Sequence, residues 1–277
     1  MPLQSSGAIQ FSDLQSEFGG TNPISLSEYY RSAGLVDRTV TNVPTTGAIS
    51  MGNFYSAANA VGLTVVTSKT GTSASGTGTV VMPTGIIAGD IIIVGYKADY
   101  GSTISSYPGS GFTRVSSAGA TNGASSDSGT IISYKVATGS ESGATIGGWA
   151  DGSGPEIYAI YVVRPSRTLR SITAVNTGSY AGTSDPPAYT ITTASAADDA
   201  TTIALSFMGG WGTRINGSFS PTTTRILDYD IGGSDVSDSL RLYMYIQNPA
   251  LVTPVNCVTN FNNSNVNSYS TGYIAIR

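Results

Sequence analysis

The side chains with chemistry to offer are few. The chain contains no histidine and one cysteine, Cys257 in "PVNCVTNF". Ser-His-Asp and Cys-His catalysis, His-ligated zinc and the facial iron triad are therefore excluded together. Glycosidase chemistry needs two placed carboxyl groups, and the only glutamates are Glu17, Glu28, Glu141 and Glu156. Two of these belong to an N-terminal repeat, which leaves an aspartate pair as the remaining route. The reading taken is a non-enzyme without a catalytic residue or a cofactor. Asp228, Asp230, Asp235 and Asp238 crowd into "DYDIGGSDVSD", a supply of oxygen ligands for calcium, but the stretch lacks the ordered one-three-five positions and final Glu of an EF-hand loop. The preferred reading is an acidic hairpin turn bent at Gly232-Gly233, and no metal is assigned.

Arg164, Arg167 and Arg170 in "RPSRTLR" form the densest basic cluster; it could bind a phosphate, a carboxylate or an acidic surface, or be a solvated loop after a sheet edge. Trp149 and Trp211 lie in turn-rich segments with Tyr100, Tyr107, Tyr180 and Tyr229. An exposed aromatic there can stack on a sugar ring or fill an interface, and core packing explains each as well. Trp211 and Trp149 are the candidate glycan contacts.

Composition narrows the partners. The net charge of −4 and a pI near 4.7 oppose binding to a nucleic-acid backbone or an anionic membrane, both of which need a basic surface. Only 11% of residues are charged, so solubility must rest on hydroxyls, amides and backbone. The longest apolar runs, such as "DIIIVGY" at 90–96, are too short to span a bilayer, and the opening "MPLQSSGAIQF" lacks the pattern of a secretory leader. A single cysteine allows no intrachain disulfide.

The elements that must position these residues fall into two parts. Residues 1–60 carry three related units, "GAIQFSDLQ", "NPISLSEYY" and "GAISMGNFY". They align Ile9, Ile24 and Ile49, then Phe11, Leu26 and Met51, then Leu14, Tyr29 and Phe54. Each reads as a short extended entry followed by one or two helical turns. Ser12 with Gln15 forms a capping-box pattern, Ser27 caps the second helix with Glu28 at its positive end, and Gly52 removes the cap of the third. Helices this short are unstable alone, so the units must pack on one another or on something larger.

From about 61 the period becomes two. A dozen short β-branched and aromatic runs, bounded by Gly, Ser, Asn, Asp or Pro, predict an all-β domain over 61–277. "SLRLYMYI" turns Leu240, Leu242, Met244 and Ile246 to one face, the core-facing side of a strand. "DIIIVGY" and "EIYAIYVV" are apolar on both faces, as in central strands covered on each side. The expected fold is mainly β, a jelly-roll-like β-sandwich preceded by a small module of short helices and extended segments.

"GAIQFSDLQSEFGGTNPISLSEYYR" with "VPTTGAISMGNFY" resembles an N-terminal module that recurs in virion structural proteins of tailed bacteriophages. The likeness covers about 8–56; Met51-Gly52-Asn53 departs from the usual Leu-Ser-Asp of the third unit. The β domain is similar, less specifically, to sandwich domains of phage fibres, through "AGDIIIV", "GSGFTRV", "YKVAT" and "YAIYVVR". The resemblance implies a virion protein assembled in the bacterial cytoplasm, docked on other virion proteins by its first 60 residues and displaying the β domain as a fibre, collar or decoration element. It would form a homo-oligomer, a trimer among the options. The docking contacts expected are Ile24, Leu26, Tyr29, Tyr30, Phe54 and Tyr55, unless these build the module's own core. The alternative function is a carbohydrate-binding tail adhesin that contacts a host surface glycan.

Overall fold

The computed structural model describes residues 3–31, 34–36, 40–57, 62–73, 79–99, 111–118, 128–147, 156–166, 169, 172–181, 189–192, 201–211, 217–220, 225–230, 238–247, 256–261 and 266–276. It is mainly β, with antiparallel sheets following one α-helix and two 3-10 turns.

The helix, α1 (Phe11–Phe18), and the 3-10 turns Leu26–Tyr29 and Met51–Phe54 are the helical parts of the three units. Each begins two residues after the unit's isoleucine. Gln10, Ser25 and Ser50 flank the helical turns in extended conformation. In every unit the N–H three residues on closes back: Asp13 to the Gln10 carbonyl at 3.1 Å, Glu28 to Ser25 at 3.2 Å and Asn53 to Ser50 at 3.0 Å. The capping assignment from sequence is corrected here. In the first unit the Asp13 carboxylate accepts from the Gln10 N–H at 2.8 Å, and in the third the Asn53 amide oxygen accepts from the Ser50 N–H at 2.8 Å. The third unit therefore keeps the reciprocal bond of its start, because Gly52 is not the capping position.

Among the described residues fifteen strands follow. β1 (Leu63–Ser73), β2 (Val80–Val81), β3 (Ile91–Asp99), β4 (Thr113–Ala118), β5 (Ser128–Val136), β6 (Thr145–Ile146) and β7 (Glu156–Pro165) come from the first part of the β domain. β8 (Ile172–Ala181), β9 (Tyr189–Thr192), β10 (Thr201–Trp211), β11 (Gly217–Ser220), β12 (Arg225–Asp230), β13 (Asp238–Gln247), β14 (Asn256–Phe261) and β15 (Val266–Ile276) complete it. The first large sheet has the order β1-β7-β3-β5-β4 and the second β12-β13-β10-β15-β8, with β11-β14-β9 and β2-β6 as smaller sheets. Each large sheet is thus built from one half of the domain.

Alternation along β3 and β7 sends side chains into two separate cores. Ile91 and Ile93 of β3, with Ile157, Ala159, Tyr161 and Val163 of β7, share one cluster with Ile203, Leu205, Leu242, Met244, Ile274 and Ile276 of the second sheet. Ile92, Val94 and Tyr96, with Tyr158, Ile160 and Val162, pack on the opposite face against Val80, Met82, Ile86 and Ala137. The two-sided apolarity of "DIIIVGY" and "EIYAIYVV" has this cause: both strands are covered on each face. Leu242 and Met244 of "SLRLYMYI" are buried as their alternation predicts, and Ile246 packs partly against them.

Polar contacts also bridge the two large sheets. Buried Thr130 on β5 and Ser270 on β15 bring their hydroxyls within 2.9 Å, and Ser116 on β4 donates to Asn176 on β8 at 3.0 Å. A Cβ at Gly272 would lie 2.5 Å from Val115 of β4, so glycine allows the sheets to approach closely there.

Candidate functional site

The N-terminal module has a core of its own. Leu14, Tyr29 and Phe54, which occupy the same position in the three units, are all fully buried. They are joined by Leu3, Phe18 and Val43, each six residues before its unit's isoleucine, and by Val36, Val40 and Ala57. Rings of Phe18, Tyr29 and Phe54 meet pairwise with centroids 6.0–6.2 Å apart, a separation at which tilted and edge-on aromatic pairs attract. The Tyr29 hydroxyl donates to the Gly19 carbonyl at 3.0 Å, and burial, then the nearby Glu28 charge, pushes its pKa up.

Bonds between units run in cyclic order. From the second unit to the third, the Tyr30 hydroxyl donates to the Gly47 carbonyl and the Arg31 N–H to Pro44 at 3.0 Å. From the third to the first, the same two positions repeat these bonds, Tyr55 hydroxyl to Gly7 at 2.6 Å and Ser56 N–H to Gln4 at 3.1 Å. From the first to the second, the Gln15 amide donates to Gly20 at 3.1 Å, Gln15 standing where the others have tyrosine. The Leu3 N–H to Ala57 carbonyl bond at 2.9 Å closes the ring. This closure is what the irregular unit spacing conceals in the sequence.

The arrangement sorts the six expected docking residues. Tyr29 and Phe54 have no exposed surface, so the docking expectation is corrected for this pair: they are the centre of the module. Tyr30 and Tyr55 spend their hydroxyls on the neighbouring unit. Ile24 and Leu26 are half-buried and pack against the core from outside, as do Ile49 and Met51. The structure adds Phe11, which is 41% exposed. It occupies the same unit position as Leu26 and Met51, a signal present in the repeat alignment.

In the β domain, Arg164 is the member of the basic cluster that the structure describes beside a cleft; Arg167 and Arg170 lie outside the described residues. Its guanidinium grips buried Asp90 through two bonds of 2.8 Å and also reaches the Gly85 carbonyl at 3.0 Å. Burial pushes the Asp90 carboxyl up, but the Arg164 bonds and the Ile87 N–H outweigh it and hold the group below its ordinary range. The cleft, about 470 Å³, is lined by Ile87, Ala88, Asp90, Val136, Arg164 and Leu169 among others. Asp90 therefore fixes Arg164 as part of the fold. Glu141 is likewise committed: it is buried, pairs with Lys135 at 2.9 Å and accepts from the Thr138 N–H and hydroxyl and the Gly139 N–H.

Other candidates are placed by their strands alone. Asp228 and Asp230 lie on β12 and Asp238 on β13, which pair antiparallel with Asp230 opposite Ser239. That pairing is the hairpin the acidic stretch suggested; Asp235, Gly232 and Gly233 lie outside the described residues. Among the described residues no three His, Cys, Asp or Glu gather as a metal site requires, and no helix is long and apolar enough to cross a membrane. Trp211 ends β10, and Tyr180, Tyr229 and Cys257 lie on β8, β12 and β14. Trp149, Tyr100 and Tyr107 lie outside the described residues. Comparison of the chain with protein families, with curated proteins and with solved structures gave no match in any of the three.

Proposed function

We propose that this chain is a non-enzymatic structural protein of a tailed-bacteriophage particle, attached to other virion proteins by residues 1–60 and displaying residues 61–277 as a fibre, collar or decoration element. One observation carries the reading. The motifs that resemble the phage module fold into a closed three-unit ring with its own core, and that ring leaves an apolar rim headed by exposed Phe11. A self-sufficient knob on a separate β domain suits attachment, because each part keeps its own core whatever the other binds. For the β domain we propose a two-layer sandwich, supported by the core cluster that draws on both large sheets. Assembly of each sheet from one half of the domain favours a sandwich of successive sheets over jelly-roll wiring.

Deleting residues 1–60 should abolish incorporation into particles while the remaining chain keeps its β-type circular dichroism and a cooperative melt. Truncated protein that still enters particles would refute the docking role. Truncated protein that cannot fold would refute the two-part division.

A further inference from the structure

We infer that the rim of the module seats one copy of this chain on the three-fold axis of a homotrimeric partner. The inference rests on the virion reading above and adds the symmetry of the partner and the stoichiometry. Position two after each unit's isoleucine is held by Phe11, Leu26 and Met51. Phe11 is exposed, and the other two are half-buried against the outside of the core. They cannot turn inward, because Leu14, Tyr29 and Phe54 already fill the centre. Each is flanked on both sides by an exposed uncharged residue, Gln, Ser or Gly. The module therefore offers three chemically alike surfaces, and the repeated inter-unit bonds set them in cyclic order.

The number is fixed at three by closure. The Leu3 to Ala57 and Ser56 to Gln4 bonds occupy the junction at which a fourth unit would have to enter. The insertion between the second and third units does not open the ring, since Val36 and Val40 are buried in the common core. A partner with one unique surface would use one of the three edges and leave the others bare. A closed trimer presents one surface three times around its axis. Three modest apolar contacts made together also gain strength as linked binding events. A single polypeptide with three like edges can thereby stand on a trimer without a symmetry mismatch.

The test uses particles from cells that make the full chain, with its incorporation measured by quantitative mass spectrometry against the major particle protein. Phe11→Ser, Leu26→Ser, Met51→Ser and the triple variant are compared with wild type, and each soluble variant is first checked for an unchanged melt. If a Ser variant fails to fold, the corresponding Gln variant, whose stem still covers the core, takes its place. Each single change is expected to lower incorporation by about three- to tenfold, the loss of one partly buried apolar contact, with the three values alike and the triple variant far lower. Phe11→Leu should remain within about twofold of wild type, since it keeps most of the apolar area. If one site carries the whole effect, the trimeric partner is wrong. If no site matters although wild type is incorporated, the rim is not the docking surface, and the virion reading survives. If wild type itself is absent from particles, the virion reading fails, and the inference falls with it.

Discussion

Glu141 and Asp90 are charged groups spent on architecture. The Glu141 carboxyl has an ordinary pKa of 4.5; burial pushes it up, but the Lys135 and Thr138 bonds prevail and hold it at about 2. A carboxyl whose pKa falls on folding stabilises the native state above its unfolded value, and that stability is lost as pH falls through the folded value. The β domain should therefore weaken as pH drops from 4.5 towards about 2, with Asp90 contributing in the same direction. Glu141→Gln should cost about 1.5–3 kcal/mol at neutral pH, the range for bonds to a charged group. It should also flatten that part of the acid dependence; urea unfolding across the window measures both. The pairing of Asp90 was not readable from sequence, because the guanidinium that fixes it lies 74 residues away on Arg164.

At the scale of elements, Gly34 shows how tightly the module is wound. A Cβ there would sit 2.2 Å from the Glu28 carbonyl oxygen and 2.9 Å from that of Tyr30, where the Leu35 and Gly34 N–H groups bond to those same carbonyls. Gly34→Ala should cost about 2–4 kcal/mol by overpacking. Hydrogen exchange in the full chain should then accelerate at the Tyr29 and Phe54 amides and not in β3 or β7, because the two parts have separate cores. The triplet of Ile, apolar and buried positions was legible in the sequence, because identical local needs leave identical side chains. The caps were misread by two residues: glutamine at position 10 is a poor capping signal, and serines at 12 and 27 are better ones. The shared position of Leu3, Phe18 and Val43 escaped notice because Phe18 both ends α1 and begins the second unit. Among the strands, burial by alternation was legible and pairing was not, since every large-sheet neighbour except the β4-β5 and β12-β13 hairpins is distant along the chain.

For the whole molecule, the decisive feature is that one large sheet comes from residues 63–165 and the other from residues 172–276. Ile91, Ile93, Ile132, Ile157 and Val163 on the first sheet reach their full burial only against the second. A chain ended after residue 166 should therefore bind an apolar dye such as ANS strongly or precipitate. The fragment should regain solubility when residues 167–277 are supplied during refolding, as pelleting and dye fluorescence would report. The same feature sets a clock on the ribosome. Roughly 110 residues must still be made after the first sheet is complete, which at about 5–20 residues per second takes on the order of 5–20 s. Through that interval a bare aliphatic face waits in a crowded cell, so yield should depend on translation speed and chaperone supply more than on the stability of the finished protein.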